Sequence, residues 1–263
     1  MKETWFQSIE GSVILVILII SMMVLVWLGW KIGKRRQAKL GREEFSGTKA
    51  VITAVFTVTA FILGLNMSMS SSRFEDRKKL IIQEANCLGT VILRTSLYPK
   101  PMKDSLTGLL KKYWEARAAY SRARSMDVIL EANKNTDKYM YEIWAVASAK
   151  GMDLDYRVAT SQMIPALNEL FDTVNSRWRG ELAKVPETLV FMLLLLIACS
   201  AFLIGYEYSF STKIDWVAVV FFCLITSAVF FISIDLDRQR RGLITTDAAL
   251  TAIYDLESMF PKE

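Results

Sequence analysis

Four uncharged stretches govern what this chain can fold into. A helix rises about 1.5 Å per residue, so about 20 consecutive apolar residues cross the roughly 30 Å hydrocarbon core of a bilayer. Residues 11–30 (GSVILVILIISMMVLVWLGW), 50–72 (AVITAVFTVTAFILGLNMSMSSS), 188–206 (TLVFMLLLLIACSAFLIGY) and 216–234 (WVAVVFFCLITSAVFFISI) meet that requirement. Trp27 and Trp30 close the first stretch, as suits an interfacial aromatic belt, and its long apolar run lacks the small-residue cleavage site of a signal peptide. The short connection EYSFSTKID makes the third and fourth stretches a hairpin.

Residues 73–187, between the second and third stretches, carry helical periodicity throughout, without a Gly/Pro-rich linker. YPKP at 98–101 breaks the pattern, since each proline lacks a donor and disfavours helix in the residue before it. Asp104 or Ser105 then offers an N-cap, and Gly151 a C-cap further on. A later helix bears Leu167, Leu170, Phe171, Val174 and Trp178 on one face, with a kink or restart expected at Pro165. The reading is an all-α multipass membrane protein: four transmembrane helices, a helical extramembrane bundle between spans two and three, and a tail over 235–263 with an amphipathic helix capped by Thr246 or Asp247. The bundle's first and last helices are expected to continue spans two and three.

Composition removes whole function classes. The chain has no histidine, hence none of the usual general base, zinc ligand or pH switch, and no nucleotide-binding loop or intramembrane carboxylate cluster. Neither an enzyme nor a cofactor or metal site is expected. Cys87, Cys199 and Cys223 are odd in number and widely spaced, so they form no disulfide framework. The net charge of +5 sits beside apolar segments, which points to topology and anionic lipid rather than nucleic acid. Sidedness is contested within the sequence. The first connection holds seven Lys and Arg, which argues for a cytoplasmic loop and an external bundle; Arg73, Arg77, Lys78 and Lys79 after span two, and Arg238, Arg240 and Arg241 after span four, argue the other way.

Span two is the most informative. Ala50, Thr53, Thr57, Ala60 and Gly64 recur at three- and four-residue steps and place small and hydroxyl side chains on one stripe. Such a stripe either packs closely against another helix or lines a pore, with Phe56, Ile62 and Leu63 as apolar neighbours at a constriction. Asn66, Ser68, Ser70, Ser71 and Ser72 supply a polar mouth. Beyond it, Phe74, Ile81, Ala85, Leu88 and Ile92 form an apolar stripe, and Arg73, Arg77, Leu80, Glu84, Cys87, Val91 and Arg94 a half-charged seam beside it. That helix is expected to make inter-subunit contacts, its small residues permitting close approach and its charges fixing register. After span four, Asp235 and Asp237 with Arg238 suit ion pairing at the membrane edge better than a hard-cation site.

Two segments resemble signatures of bacterial bestrophin-like domain proteins. EANCLGTVILR is similar to Glu-Ala-Asn-x-x-Gly-Thr-x-x-x-Arg, matched by Glu84, Ala85, Asn86, Gly89, Thr90 and Arg94. DLDRQRRGLI is similar to Asp-x-Asp-Arg-Pro-Phe-x-Gly, matched by Asp235, Asp237, Arg238 and Gly242, with Gln239-Arg240 standing where the pattern has Pro-Phe. The resemblance covers nearly the whole chain, and extends more distantly to bestrophins. It implies a homopentameric ion channel in the bacterial plasma membrane that passes inorganic ions along span two, with the helical domain in the cytoplasm. Calcium gating is not implied, because the region matching the acidic clasp of animal bestrophins is basic here. A membrane-anchored interaction or sensory module without transport activity is the other reading of the same residues.

Overall fold

The computed structural model describes residues 11–40, 46–149, 153–183, 185–238, 240 and 242–261. Among them there is no strand. The helices are α1 (Gly11–Leu40), α2 (Ser46–Arg94), α3 (Lys100–Arg122), α4 (Met126–Ser148), α5 (Arg157–Leu182), α6 (Glu187–Tyr208), α7 (Trp216–Asp237) and α8 (Asp247–Tyr254), with 3-10 turns at Thr95–Leu97 and Asp255–Met259. The helical stretches long and apolar enough to cross a membrane fall in α1, α2, α6 and α7.

The chain divides into two compact units. One comprises Met1–Phe74, Lys184–Arg238 and Gly242–Ile244; the other Glu75–Ala183, Gln239–Arg241 and Thr245–Glu263. The first unit has a core of Ile14, Leu18, Met22 and Val26 from α1, Leu193, Ile197 and Ala201 from α6, and Val219, Cys223 and Phe230 from α7. Glycine sets the α1–α6 approach. A Cβ on Gly205 would lie 1.9 Å from the Val26 carbonyl oxygen, and one on Gly29 would lie 2.1 Å from that of Phe202. With Gly33 packed on Ser209, Gly29-x-x-x-Gly33 and Ala201-x-x-x-Gly205-x-x-x-Ser209 are facing small-residue ladders. Hydroxyls join α2 to its neighbours: Thr59 pairs with Ser200 at 2.9 Å, and Ser233 donates to the Asn66 side-chain oxygen at 2.6 Å. Asp215 caps α7 by accepting from the Val217 and Ala218 N–H groups.

The second unit is built from the later turns of α2 with α3, α4, α5 and α8. Its core includes Leu88, Val91, Leu106, Leu110, Tyr113, Ile143, Met163, Leu167, Leu170 and Ile253. Three sequence expectations change here. The helical pattern breaks at YPKP as expected, but its prolines already start the next helix: α3 begins at Lys100 with Pro99 as its cap and Pro101 in its first turn, where a missing N–H costs nothing, so Asp104 and Ser105 lie inside it rather than capping it. α5 continues through Pro165 as one helix and does not restart there. α5 and α6 are separate helices, Pro186 capping the start of α6, whereas α2 is unbroken for 49 residues. Thr246 occupies the N-cap of α8, without a side-chain capping bond. The expected cap at Gly151 lies outside the described residues.

Candidate pore face and buried ion-pair network

Helical phase sorts the residues of α2 into two sets. Thr53, Thr57, Ala60, Gly64 and Ser68, at four- and three-residue steps, are all exposed on the chain's own surface. A Cβ on Gly64 would meet nothing within 4 Å. Thr57 Oγ1 is satisfied within the helix, donating to the Thr53 carbonyl at 2.9 Å. On the opposite side Thr59, Asn66 and Ser70 are buried. Asn66 therefore does not share the face of Thr53 and Gly64: its carboxamide is turned towards Ser233 and Ser70. Phe56 rests edge-on against Phe222 with ring centroids 5.5 Å apart, and Ile62 and Leu63 pack on the first unit's core. The large apolar side chains that α2 exposes within the first unit are Val51, Val58, Phe61, Leu65 and Met69, so an apolar constriction built on this part of the helix would draw on Phe61 and Leu65 instead.

The exposed phase continues in the second unit, where Lys79, Gln83, Asn86, Thr90 and Leu93 are exposed. The half-charged seam expected to meet another subunit is instead largely closed within one chain. Arg77, Glu84, Ala85, Cys87 and Val91 are buried, and Gly89 packs against Leu256 and Met259. Of the EANCLGTVILR motif, Asn86, Thr90 and Leu93 are exposed, while Arg94 is half-buried and donates to the Gln162 carbonyl.

Glu84 is the centre of a buried ionic network. Its carboxylate accepts from Arg117 Nε at 2.5 Å and Nη2 at 2.8 Å, and from Arg177 Nη1 at 2.8 Å. Arg177 Nε also donates to Glu181, which accepts in turn from Arg240 Nη2 and the Tyr120 hydroxyl, both at 2.8 Å. The Tyr120 ring has the guanidinium carbons of Arg117, Arg240 and Arg177 at 4.3, 4.7 and 5.2 Å. Arg240 adds bonds to the Tyr120 and Ala123 carbonyls, ending α3 on a charge-assisted contact. Position 240, where the family pattern is apolar, is thus a network residue.

Burial pushes the Glu84 carboxyl up, but the Arg117 and Arg177 guanidiniums outweigh it and hold it down to about 2. A carboxylate depressed in the folded state stabilises above its unfolded value and loses that stabilisation as pH falls through its folded value. The second unit's unfolding free energy is therefore expected to decline from the ordinary value of 4.5 towards about 2. The loss from Glu84 is on the order of 3 kcal/mol. Chemical denaturation across that range measures it, and the Glu84→Gln variant should show a flatter profile.

The second motif folds the end of α7 onto itself. Asp235 is buried and accepts from the Ile244 N–H at 2.9 Å, and a Cβ on Gly242 would sit 2.9 Å from the same Asp235 oxygen. Asp237 accepts from the Val185 N–H at 3.2 Å and forms an ion pair with Arg73 Nε at 3.4 Å. Arg73 thus serves its own chain, and Arg238 C-caps α7 through an N–H bond to the Asp235 carbonyl. Gly242→Ala is expected to displace the Asp235 carboxylate and cost about 1–3 kcal/mol, read as a lowered melting temperature of the purified protein.

Among the described residues no group of His, Cys, Asp and Glu is placed to hold a metal ion. A family model described as Bestrophin-like domain matches residues 16–249. No curated protein matches the chain. Among solved structures, single-substitution variants of a bacterial Bestrophin homolog from Klebsiella pneumoniae share its fold. One aligns with a TM-score of 0.68 at 14% identity, covering 95% of this chain and 98% of its own; another scores 0.67 at 15%, covering 92% and 98%. A third scores 0.68 at 12%, covering 94% and 100%. With the family model spanning both units, both motifs and every apolar helix, the chain belongs to the Bestrophin-like domain family.

Proposed function

We propose that the chain is an ion channel of the bacterial inner membrane in which about five identical copies surround an axis lined by α2. The spans would be residues 11–30, 50–72, 188–206 and 216–234, with residues 73–187 forming the helical bundle outside the bilayer. The observation that carries this reading is the uncovered stripe of Thr53, Thr57, Ala60, Gly64 and Ser68. α1, α6 and α7 leave it open, while Thr59, Asn66 and Ser70 fasten the opposite side of α2 to its own chain. In lipid, a face of small and hydroxyl side chains loses dispersion contacts that an aliphatic face would make; against water or a neighbouring copy of the same helix it is well matched. Asn86 and Thr90 continue the phase and would line an aqueous vestibule.

The test is cysteine accessibility in liposomes containing the purified protein. Thr57→Cys, Gly64→Cys and Ser68→Cys are expected to make ion flux sensitive to a charged thiol reagent, with Thr59→Cys insensitive. Flux that none of the exposed positions controls, or a protein that native mass spectrometry finds monomeric, would instead favour an anchored interaction module.

A further inference from the structure

Within the second unit, α2 at Arg77 and Ile81, the end of α3 with the residues that follow it, the last turns of α5, α8 with the residues before it and the turn bearing Arg240 surround a cavity of about 240 Å³. Five of its lining residues are arginines: Arg77, Arg122, Arg124, Arg177 and Arg240. The carboxylates that face them are Glu181 and Asp247, leaving positive charge in excess by three among the described lining residues. Neither carboxylate is idle. Glu181 is bonded to Tyr120, Arg177 and Arg240, and Asp247 accepts from the Thr245 hydroxyl at 2.8 Å.

The arginines divide by exposure. Arg77 and Arg177 are almost wholly buried, where water screens their charge little, and the charge of Arg177 is met by Glu84 and Glu181. The Arg177 donors are committed to Glu84, Glu181 and Ser121, which fixes its position. Arg122 and Arg124 are exposed at the rim, and Arg122 is steadied over the Tyr254 ring at 4.8 Å. Ser121 accepts from Arg177 and so keeps its own proton to donate. Thr246, whose hydroxyl makes no capping bond, opens α8 on the same space, where the helix N-terminus adds partial positive charge.

We propose that this cavity binds a phosphomonoester, presented by a small soluble molecule or by the head of an anionic lipid. A phosphomonoester carries a charge of about −1.5 to −2 and three acceptor oxygens, which suits an excess of three positive charges and the planar donor forks of arginine. The volume lies below the roughly 300–1,000 Å³ of drug-sized sites, so it holds a phosphate with a small carrier and leaves acyl chains outside. The site stands independently of ion conduction, since none of its residues lies on the exposed face of α2.

Calorimetric titration of the purified full-length protein tests it, using glycerol 3-phosphate and dihexanoyl phosphatidic acid, with glycerol and dihexanoyl phosphatidylcholine as controls at constant chloride. Saturable binding of one phosphomonoester per chain is expected, at least about tenfold weaker in Arg122→Ala/Arg124→Ala and weakened by added salt. Binding of the lipid alone supports the site and assigns its source to the membrane; binding of both supports a soluble ligand. Arg124→Glu, a single exposed change with the same expected loss, keeps the result decisive if the double variant misfolds. Absence of saturable binding by either phosphomonoester, or unchanged affinity in a folded variant, overturns the proposal.

Discussion

Glu84→Gln is expected to destabilise the second unit by about 3–5 kcal/mol, a large part of the roughly 5–15 kcal/mol that holds a domain folded. The carboxamide nearly conserves shape, so no cavity opens and the loss is electrostatic. Arg177 retains Glu181 as a second carboxylate, but among the described residues Glu84 is the only carboxylate paired with Arg117, whose side chain is 1% exposed. The variant therefore leaves a guanidinium in a low-dielectric interior without its counter-charge, and its carboxamide must offer an N–H₂ where a second acceptor stood. Removing both charges tests the cause. Glu84→Gln/Arg117→Met should recover part of the loss, because a buried pair replaced by apolar packing is often nearly neutral. Urea unfolding followed by hydrogen exchange in α2, α3 and α5 measures both variants; a double variant as unstable as the single one would assign the cost to packing.

Glu84 also illustrates what the sequence could not disclose. The motif and its helical seam were legible, and alternating charges suggested pairing across a contact. The partners, Arg117 and Arg177, lie 33 and 93 residues further along, and periodicity carries no information about which element a seam faces. The seam therefore read as an inter-subunit surface, whereas a charged row closed by charges of the same chain gives the same pattern. Apolar segments and fold class were readable because length and lack of charge leave few alternatives in a bilayer. Span two's exposed stripe was half legible: spacing found Thr53, Thr57, Ala60 and Gly64 but assigned Asn66 to the same mouth, although its helical phase is opposite. The strongest packing signal went unread. GWKIG contains Gly29-x-x-x-Gly33, and both glycines, unlike Gly64 of span two, sit at the α1–α6 contact, Gly29 against the Phe202 backbone and Gly33 against the Ser209 side chain.

That contrast gives Gly205→Leu and Gly64→Leu opposite expected outcomes, although both are glycines in long apolar helices. At Gly205 even the first added carbon would lie 1.9 Å from the Val26 carbonyl oxygen and 2.8 Å from its Cα. Those are backbone atoms, which no rotamer change can move aside, so α1 and α6 must separate along the ladder that Gly29 and Gly33 share. Overpacking that side chains can absorb costs about 1–3 kcal/mol; here the cost should meet or exceed that range, and purification should yield aggregated protein. At Gly64 the added side chain enters open space, and leucine's better helix propensity stabilises the chain by up to about 1 kcal/mol. Each chain should fold, yet about five leucines would converge where α2 lines the axis, and ion flux in liposomes should fall by at least about tenfold. Wild-type flux from a well-folded Gly64→Leu oligomer would remove α2 from the pore, whereas loss of the oligomer itself would make the stripe a contact between copies.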